Sequence, residues 1–154
     1  MIEVKIVTNK KEKEFICRNV LESLTNWFEV KESRENYVNN CHDSDFVAAY
    51  DNDKAIGFLY LKQTGKETVE LAVMGVKQEY HRQGIGRLLF EKAYDVAKAK
   101  SYSFMQVKTV QMGKYKEYDQ TNLFYKSLGF KEFEIIPLLW DEANPCQIYV
   151  MSIN

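Results

Sequence analysis

Residues 79–90, EYHRQGIGRLLF, set two glycines, Gly84 and Gly86, behind a His81–Arg82–Gln83 triplet and directly ahead of an apolar helical pattern. Just upstream runs the extended segment VELAVMGV. A chain that leaves a strand, crosses two glycines and enters a helix aims bare N–H groups, and the positive helix end, at an anion. Two phosphate-binding designs fail on spacing. A Walker-type loop ends Gly-Lys-Ser/Thr, whereas Arg87 and Leu88 follow Gly86. A dinucleotide-binding turn wants Gly or Ala three places after its second glycine, where Leu89 stands, and it opens an early βαβ unit. Elsewhere, Cys41, His42 and Asp43 are adjacent in sequence, and neighbours on a loop rarely converge as a triad. The two histidines, His42 and His81, have no ligand spacing, so no metal is expected.

A third design is Arg/Gln-x-x-Gly-x-Gly/Ala on a strand–turn–helix, whose successive amides hold the pyrophosphate of coenzyme A. HRQGIG fits it apart from His81 in first place. With AIGFLYLK before the loop and FYKSLGF after it, in the family's order and spacings, the chain resembles the GNAT superfamily of N-acetyltransferases over about residues 45–136. The resemblance implies acetyl-CoA as co-substrate, without a metal, and direct transfer to a primary amine of a small molecule in a ternary complex. A protein lysine or N-terminus as acceptor, and a non-catalytic acyl-CoA sensor, stay open.

The same resemblance assigns residues. Cofactor contacts fall to Met74, Gly75 and Val76 on the strand, to His81, Arg82, Gln83, Gly84, Ile85, Gly86 and Arg87 in the loop, and to Asn122 and Tyr125. An amide of Val76, or of its neighbours Met74 and Gly75, would meet the acetyl oxygen. Tyr125 matches the family's general acid towards the thiolate, and a phenol of pKa about 10 keeps its proton at neutral pH. Glu70, eleven residues before His81, matches a glutamate that some members use as base, directly or through water. An exposed place on a polar strand face is the competing reading of Glu70. The family often has Asn seven residues before the tyrosine; Tyr118 stands there, with Asn122 nearby as a substitute at a different spacing. Acceptors in this family meet the N-terminal helices and the final hairpin, which carry Trp27, Phe28 and Trp140. Asp141 or Glu142 could be the counter-charge for a cationic amine against Trp140, and the same residues read equally as a solvated turn closed by a packed tryptophan.

The elements that must position these residues follow from periodicity. IEVKIV alternates as a strand, and residues 11–24 place Phe15, Ile16, Val20, Leu21 and Leu24 at helical spacing. KESRENYVNN reads as a second helix, and residues 46–62 as a hairpin turning at Asp51-Asn52-Asp53. ETVELAVMGV is a strand with an irregularity expected near Gly75. The helix after the glycines is expected to bury Ile85, Leu88, Leu89, Ala93 and Val96. YSFMQVKTV reads as a strand, DQTNLFYKSL as a short helix stopped by Gly129, and FKEFEII and QIYVMSI as closing strands parted by LLWDEANPC. The order predicts an α/β (α+β) domain over residues 1–154, with the GNAT fold: a central mixed, mostly antiparallel twisted sheet of about seven strands flanked by about four helices.

Bulk properties narrow the partners. With 21 basic and 22 acidic residues the net charge is −1, which gives no general grip on nucleic acid or an anionic membrane. No apolar run is of membrane-spanning length, and the N-terminus lacks the shape of a signal peptide. Three cysteines, Cys17, Cys41 and Cys146, are scattered rather than paired, which points to a reducing cytoplasm. None lies in either motif, so nothing suggests an acetyl-enzyme. The exposed aromatics allow a homodimer without fixing its interface.

Overall fold

The computed structural model describes residues 1–154. Its elements run β1 (Ile2–Val7), α1 (Lys10–Glu22), α2 (Lys31–Asn40), β2 (Asp45–Asp51), β3 (Lys54–Gln63), β4 (Thr68–Val76), α3 (Ile85–Ala99), β5 (Phe104–Val110), α4 (Lys116–Ser127), β6 (Lys131–Asp141) and β7 (Asn144–Ser152). A single 3₁₀ turn, Gln78–Tyr80, leads from β4 into the glycine corner. This is the order expected from the sequence.

The seven strands form one sheet in the order β1-β2-β3-β4-β5-β7-β6. Every neighbouring pair is antiparallel except β4 and β5. The fold is the α/β arrangement that the sequence predicts. Helices cover both faces, which explains why IGFLYL in β3 is apolar without alternation: central strands are buried on both sides. One core joins Leu59, Leu71, Leu89, Met105 and Tyr149 with Tyr125 of α4 and Leu128 just after it. The other joins Val20, Leu21, Phe46, Phe58 and Val73 beneath α1 and α2.

Several local expectations shift. The β4 irregularity lies at Ala72, where Tyr60 pairs with Val73 but Leu61 pairs with Leu71. Gly75 stays in register with Phe58; its missing side chain admits α1, since a Cβ there would stand 3.1 Å from Val20 and Leu24. Phe15 is 67% exposed, because the stripe of α1 that meets the sheet runs through Ile16, Cys17, Val20 and Leu21. Leu88 is 43% exposed and Val96 half-buried, while Phe90 and Ala97 fill the positions expected of them. LLWDEANPC is not a break but a hairpin: β6 runs to Asp141, β7 starts at Asn144, and Asn144 Nδ2 donates to Asp141 Oδ1 at 2.8 Å.

Candidate active site

The β4–β5 ladder is the first determinant of the site. It holds only three pairs, Thr68–Phe104, Val69–Met105 and Glu70–Gln106, and beyond them the two strands part. Leu71–Val76 and Val107–Val110 then line opposite walls of a cleft of about 1130 Å³. Lys77 N–H donates to Ile56 O at 2.8 Å, so in the antiparallel β3–β4 register Gly75 and Lys77 exchange bonds with β3. The alternate residues, Met74 and Val76, therefore turn their backbone groups into the gap. Of the three amides expected to meet an acetyl oxygen, those of Val76 and Met74 face the cleft and that of Gly75 does not.

The glycine corner closes the lower end. Arg82 and Gly84 both take positive φ, 64° and 78°, which glycine adopts freely and arginine only at a cost of about 1–2 kcal/mol. The first helical bond of α3 runs from Leu88 N–H to Gly84 O, and no protein acceptor takes the N–H groups of Gln83, Gly84, Ile85, Gly86 or Arg87. Bare donors at a helix start, with no acidic residue in the first turn, suit an anion by hydrogen bonding and by the helix dipole. Gly86 also serves packing: a Cβ there would lie 3.0 Å from the Phe124 ring, so α4 would have to give way by a few tenths of an ångström. Arg87 reaches across to that helix, its guanidinium donating to Ser127 O at 3.2 Å. His81 does not extend towards the corner. Its Nε2 sits 2.6 Å from Val76 O, and its ring meets Trp27 edge-on at 5.5 Å.

Tyr125 reaches the cleft from α4, its ring packed among Phe124, Phe130 and Tyr149 and only 7% exposed. No protein group hydrogen-bonds its hydroxyl, yet no buried side-chain oxygen in the chain is orphaned, so the hydroxyl opens to the cleft that Tyr125 lines. Burial pushes the phenol well above its ordinary pKa of 10, with the nearby Tyr118 phenol adding to the effect. FYKSLGF fixes this placement by ending α4 sharply: Phe130 N–H bonds Tyr125 O at 3.2 Å and Gly129 N–H bonds Lys126 O at 3.1 Å.

Two predicted residues stand elsewhere. Asn122 is fully buried and its amide is engaged throughout. Its Nδ2 donates to Val110 O and Tyr118 O at 2.9 and 2.6 Å, and its Oδ1 accepts from Tyr149 OH at 2.6 Å. It thus ties α4 to β5 and β7 and has no free group for a ligand. Glu70 lies at the last β4–β5 pair, on the α1–α2 face, with Lys108 Nζ 3.0 Å from its carboxylate. Lys108 lines the cleft and Glu70 does not. Lys108 escaped the sequence reading, although the alternation of FMQVKTV sets it apart from the buried Val107 and Thr109.

At the upper end, Trp27 and Phe28 come from the α1–α2 connection and Trp140 and Asp141 from the β6–β7 hairpin, all lining the same cleft. Tyr118 OH donates to Trp27 O at 2.7 Å, so the residue standing in the family's Asn position braces the α1–α2 connection against α4. Glu29, Glu117 and Asp141 put three carboxylates along this end. Cys17, Cys41 and Cys146 are buried and free, and none lines the cleft.

The same arrangement recurs in known proteins. The model of the acetyltransferase (GNAT) domain matches residues 42–132. An uncharacterised N-acetyltransferase of Chlorobaculum tepidum is 30% identical over 120 residues, 76% of this chain and 70% of that protein. A crystal structure of a GNAT-family protein from Desulfovibrio desulfuricans superposes with a TM-score of 0.85 at 16% identity, covering the whole of both chains. An aminoglycoside 6'-N-acetyltransferase crystallised with coenzyme A superposes with a TM-score of 0.79 at 19% identity, over 100% of this chain and 97% of that one.

Proposed function

The chain belongs to the GNAT family of acetyltransferases, enzymes that use acetyl-CoA, and from that premise we propose that it transfers the acetyl group directly to a primary amine of a small molecule. The observation that carries this reading is the placement of an unpartnered Tyr125 hydroxyl in a cleft that also exposes the β4 amides.

The residues fit the co-substrate. The free amides of Gln83–Arg87, with the Arg82 and Arg87 guanidiniums beside them, would hold the pyrophosphate, and the open edge of β4 would hold the pantetheine arm. Acetyl-CoA supplies a thioester carbonyl open to attack by a neutral amine. The amide of Val76 or Met74 donates to the oxygen on which negative charge grows, a term worth about 3–4 kcal/mol where such donors have been removed. As the carbon–sulfur bond breaks, Tyr125 gives its proton to the departing sulfur, and burial ensures that this phenol is protonated at neutral pH.

The acceptor arrives as an ammonium and must lose one proton before attack and another after it. Glu70 takes the first through water, because its carboxylate stands behind Lys108 rather than on the cleft wall, and passes it to solvent; the second restores the proton that Tyr125 gave to the sulfur. Aromatic walls with Glu29, Glu117 and Asp141 beside them favour a cationic amine. Trp27 and Trp140 line the same cleft, and their bulk favours a small acceptor over an extended polypeptide. The test is thiol release from acetyl-CoA across polyamines, aminoglycosides, amino acids and short lysine peptides. Stimulation by a small amine and not by the peptides supports the reading. Turnover restricted to peptides, or none with acetyl-CoA bound, refutes it.

A further inference from the structure

His81 opens the HRQGIG stretch, yet its side chain leaves the corner that its neighbours form. Its backbone is extended, with φ −64° and ψ 153°, and its N–H closes the 3₁₀ turn on Gln78 O at 3.0 Å. Arg82 then takes its left-handed φ of 64°. The reversal leaves Arg82 and Gln83 exposed at the corner and the half-buried imidazole turned back onto β4.

The ring makes two contacts, and they belong to different walls of the cleft. Nε2 stands 2.6 Å from Val76 O. A carbonyl oxygen only accepts, so Nε2 carries the hydrogen, and the bond holds for the neutral and the cationic ring alike. Val76 O and Lys77 N–H belong to one planar peptide unit. Lys77 N–H donates to Ile56 O of β3 at 2.8 Å, so His81 pins from the cleft side a peptide that β3 pins from the other. The bond also occupies the acceptor that Val76 turns into the gap and leaves its N–H free. A strand end presenting only a donor suits a carbonyl oxygen that gains negative charge. The second contact is Trp27, met edge-on at 5.5 Å. The Trp27 backbone is tied at both ends, its N–H to Leu24 O at 3.0 Å and its O to Tyr118 OH at 2.7 Å, and its indole rests on His81.

We propose that His81 is a positioning residue for acetyl transfer: one imidazole sets the Val76 end of β4 and the Trp27 side of the acceptor wall relative to each other. The inference deepens the acetyl-transfer reading and rests on it for the roles of the two walls. Two variants divide the ring. His81→Gln keeps an amide donor for Val76 O and loses the ring against Trp27; His81→Phe keeps a ring and leaves Val76 O without its donor. In a Trp140→Phe background Trp27 is the remaining tryptophan, and acrylamide quenching reads its packing. Amide exchange at Lys77 reads the hold on the pinned peptide. His81→Gln is expected to raise Trp27 quenching and leave Lys77 exchange unchanged. His81→Phe is expected to speed Lys77 exchange about fivefold and leave quenching unchanged. Both should bind coenzyme A, by calorimetry, within about threefold of wild type. With the amine that best stimulates thiol release, His81→Gln should raise the KM for that amine about three- to tenfold at near-constant kcat, and His81→Phe should lower kcat instead. Loss of coenzyme A affinity by about tenfold in both variants, with Trp27 and Lys77 unmoved, makes His81 a phosphate-loop residue and overturns the proposal. So do kinetic constants indifferent to both variants. If no amine turns over, the acetyl-transfer reading falls, whereas quenching and exchange that ignore both variants overturn the positioning role itself.

Discussion

Replacing Tyr125 with Phe separates the two things that this side chain does. The ring packs against Phe124, Phe130 and Tyr149 at centroid distances of 5.8, 5.9 and 6.3 Å, and Phe keeps that packing. The hydroxyl has no protein partner, so its loss leaves no donor or acceptor unsatisfied. The stability change should be within about 0.5 kcal/mol, which for a chain of this size moves Tm by about 1–2 °C. The rate should respond quite differently. A general acid contributes about 10²–10⁴-fold, or about 3–5 kcal/mol of barrier. The assay is steady-state thiol release with the best acceptor, alongside a thermal melt of each protein. The expected result is kcat lower by about a hundredfold or more, with Tm and the KM for acetyl-CoA nearly unchanged. Because burial raises this phenol above its ordinary value, the deficit should be uniform through the neutral range rather than growing at one end. A kcat within about threefold of wild type would remove Tyr125 from the chemistry.

Glu70→Gln should lower kcat by about a hundredfold if the carboxylate is the base, and adding Lys108→Met should not recover it. If Glu70 serves only to neutralise Lys108, the single variant instead loses stability and the double variant regains both stability and rate. Asn122→Ala strands Tyr149 OH and Val110 O inside the protein and should cost about 2–4 kcal/mol by urea unfolding; a cost below about 1 kcal/mol would contradict that network. Acid should destabilise the fold through Glu14, Glu35 and Asp51. His42, Arg18 and Tyr80, respectively, hold these carboxyls below their ordinary values by hydrogen bonding. The folded pKa values are the lower ones, so this stability is fully present above the unfolded carboxylate range near pH 4 and is lost as pH falls through the depressed values. Urea midpoints that stay level between about pH 5 and pH 2 would refute it.

What the sequence revealed was local. Gly84 answers to its own positive φ and the helix stop at Gly129 to bonds within six residues, so both motifs could be read without tertiary knowledge. Element order followed from apolar periodicity for the same reason. What stayed hidden depends on which strand lies beside which. Asn122 reads as a polar helix residue open to a ligand until Tyr149 and Val110, distant in sequence, are seen to consume its amide. Glu70 reads as a carboxylate in an apolar run; only the β4–β5 register brings Lys108 to it. His81 looked like a weak member of the phosphate loop, and the fold instead turns it back onto Val76 O and Trp27. Phe15 and Leu88 satisfied helical spacing and still face solvent, since periodicity gives a stripe and not its width.

The parting of β4 from β5 after three pairs leaves the sheet unfinished along one strand. The groups that Met74 and Val76 turn into the gap, apart from Val76 O, which His81 meets, are those a neighbouring strand would otherwise bond. An extended ligand carrying amides of its own can complete that row in place of polypeptide, becoming for the length of one turnover a temporary member of the sheet. Without that ligand, β4 is held here by β3 alone. Amide-exchange protection at residues 72–76, more than the protein's melting temperature, should report whether the seam is filled.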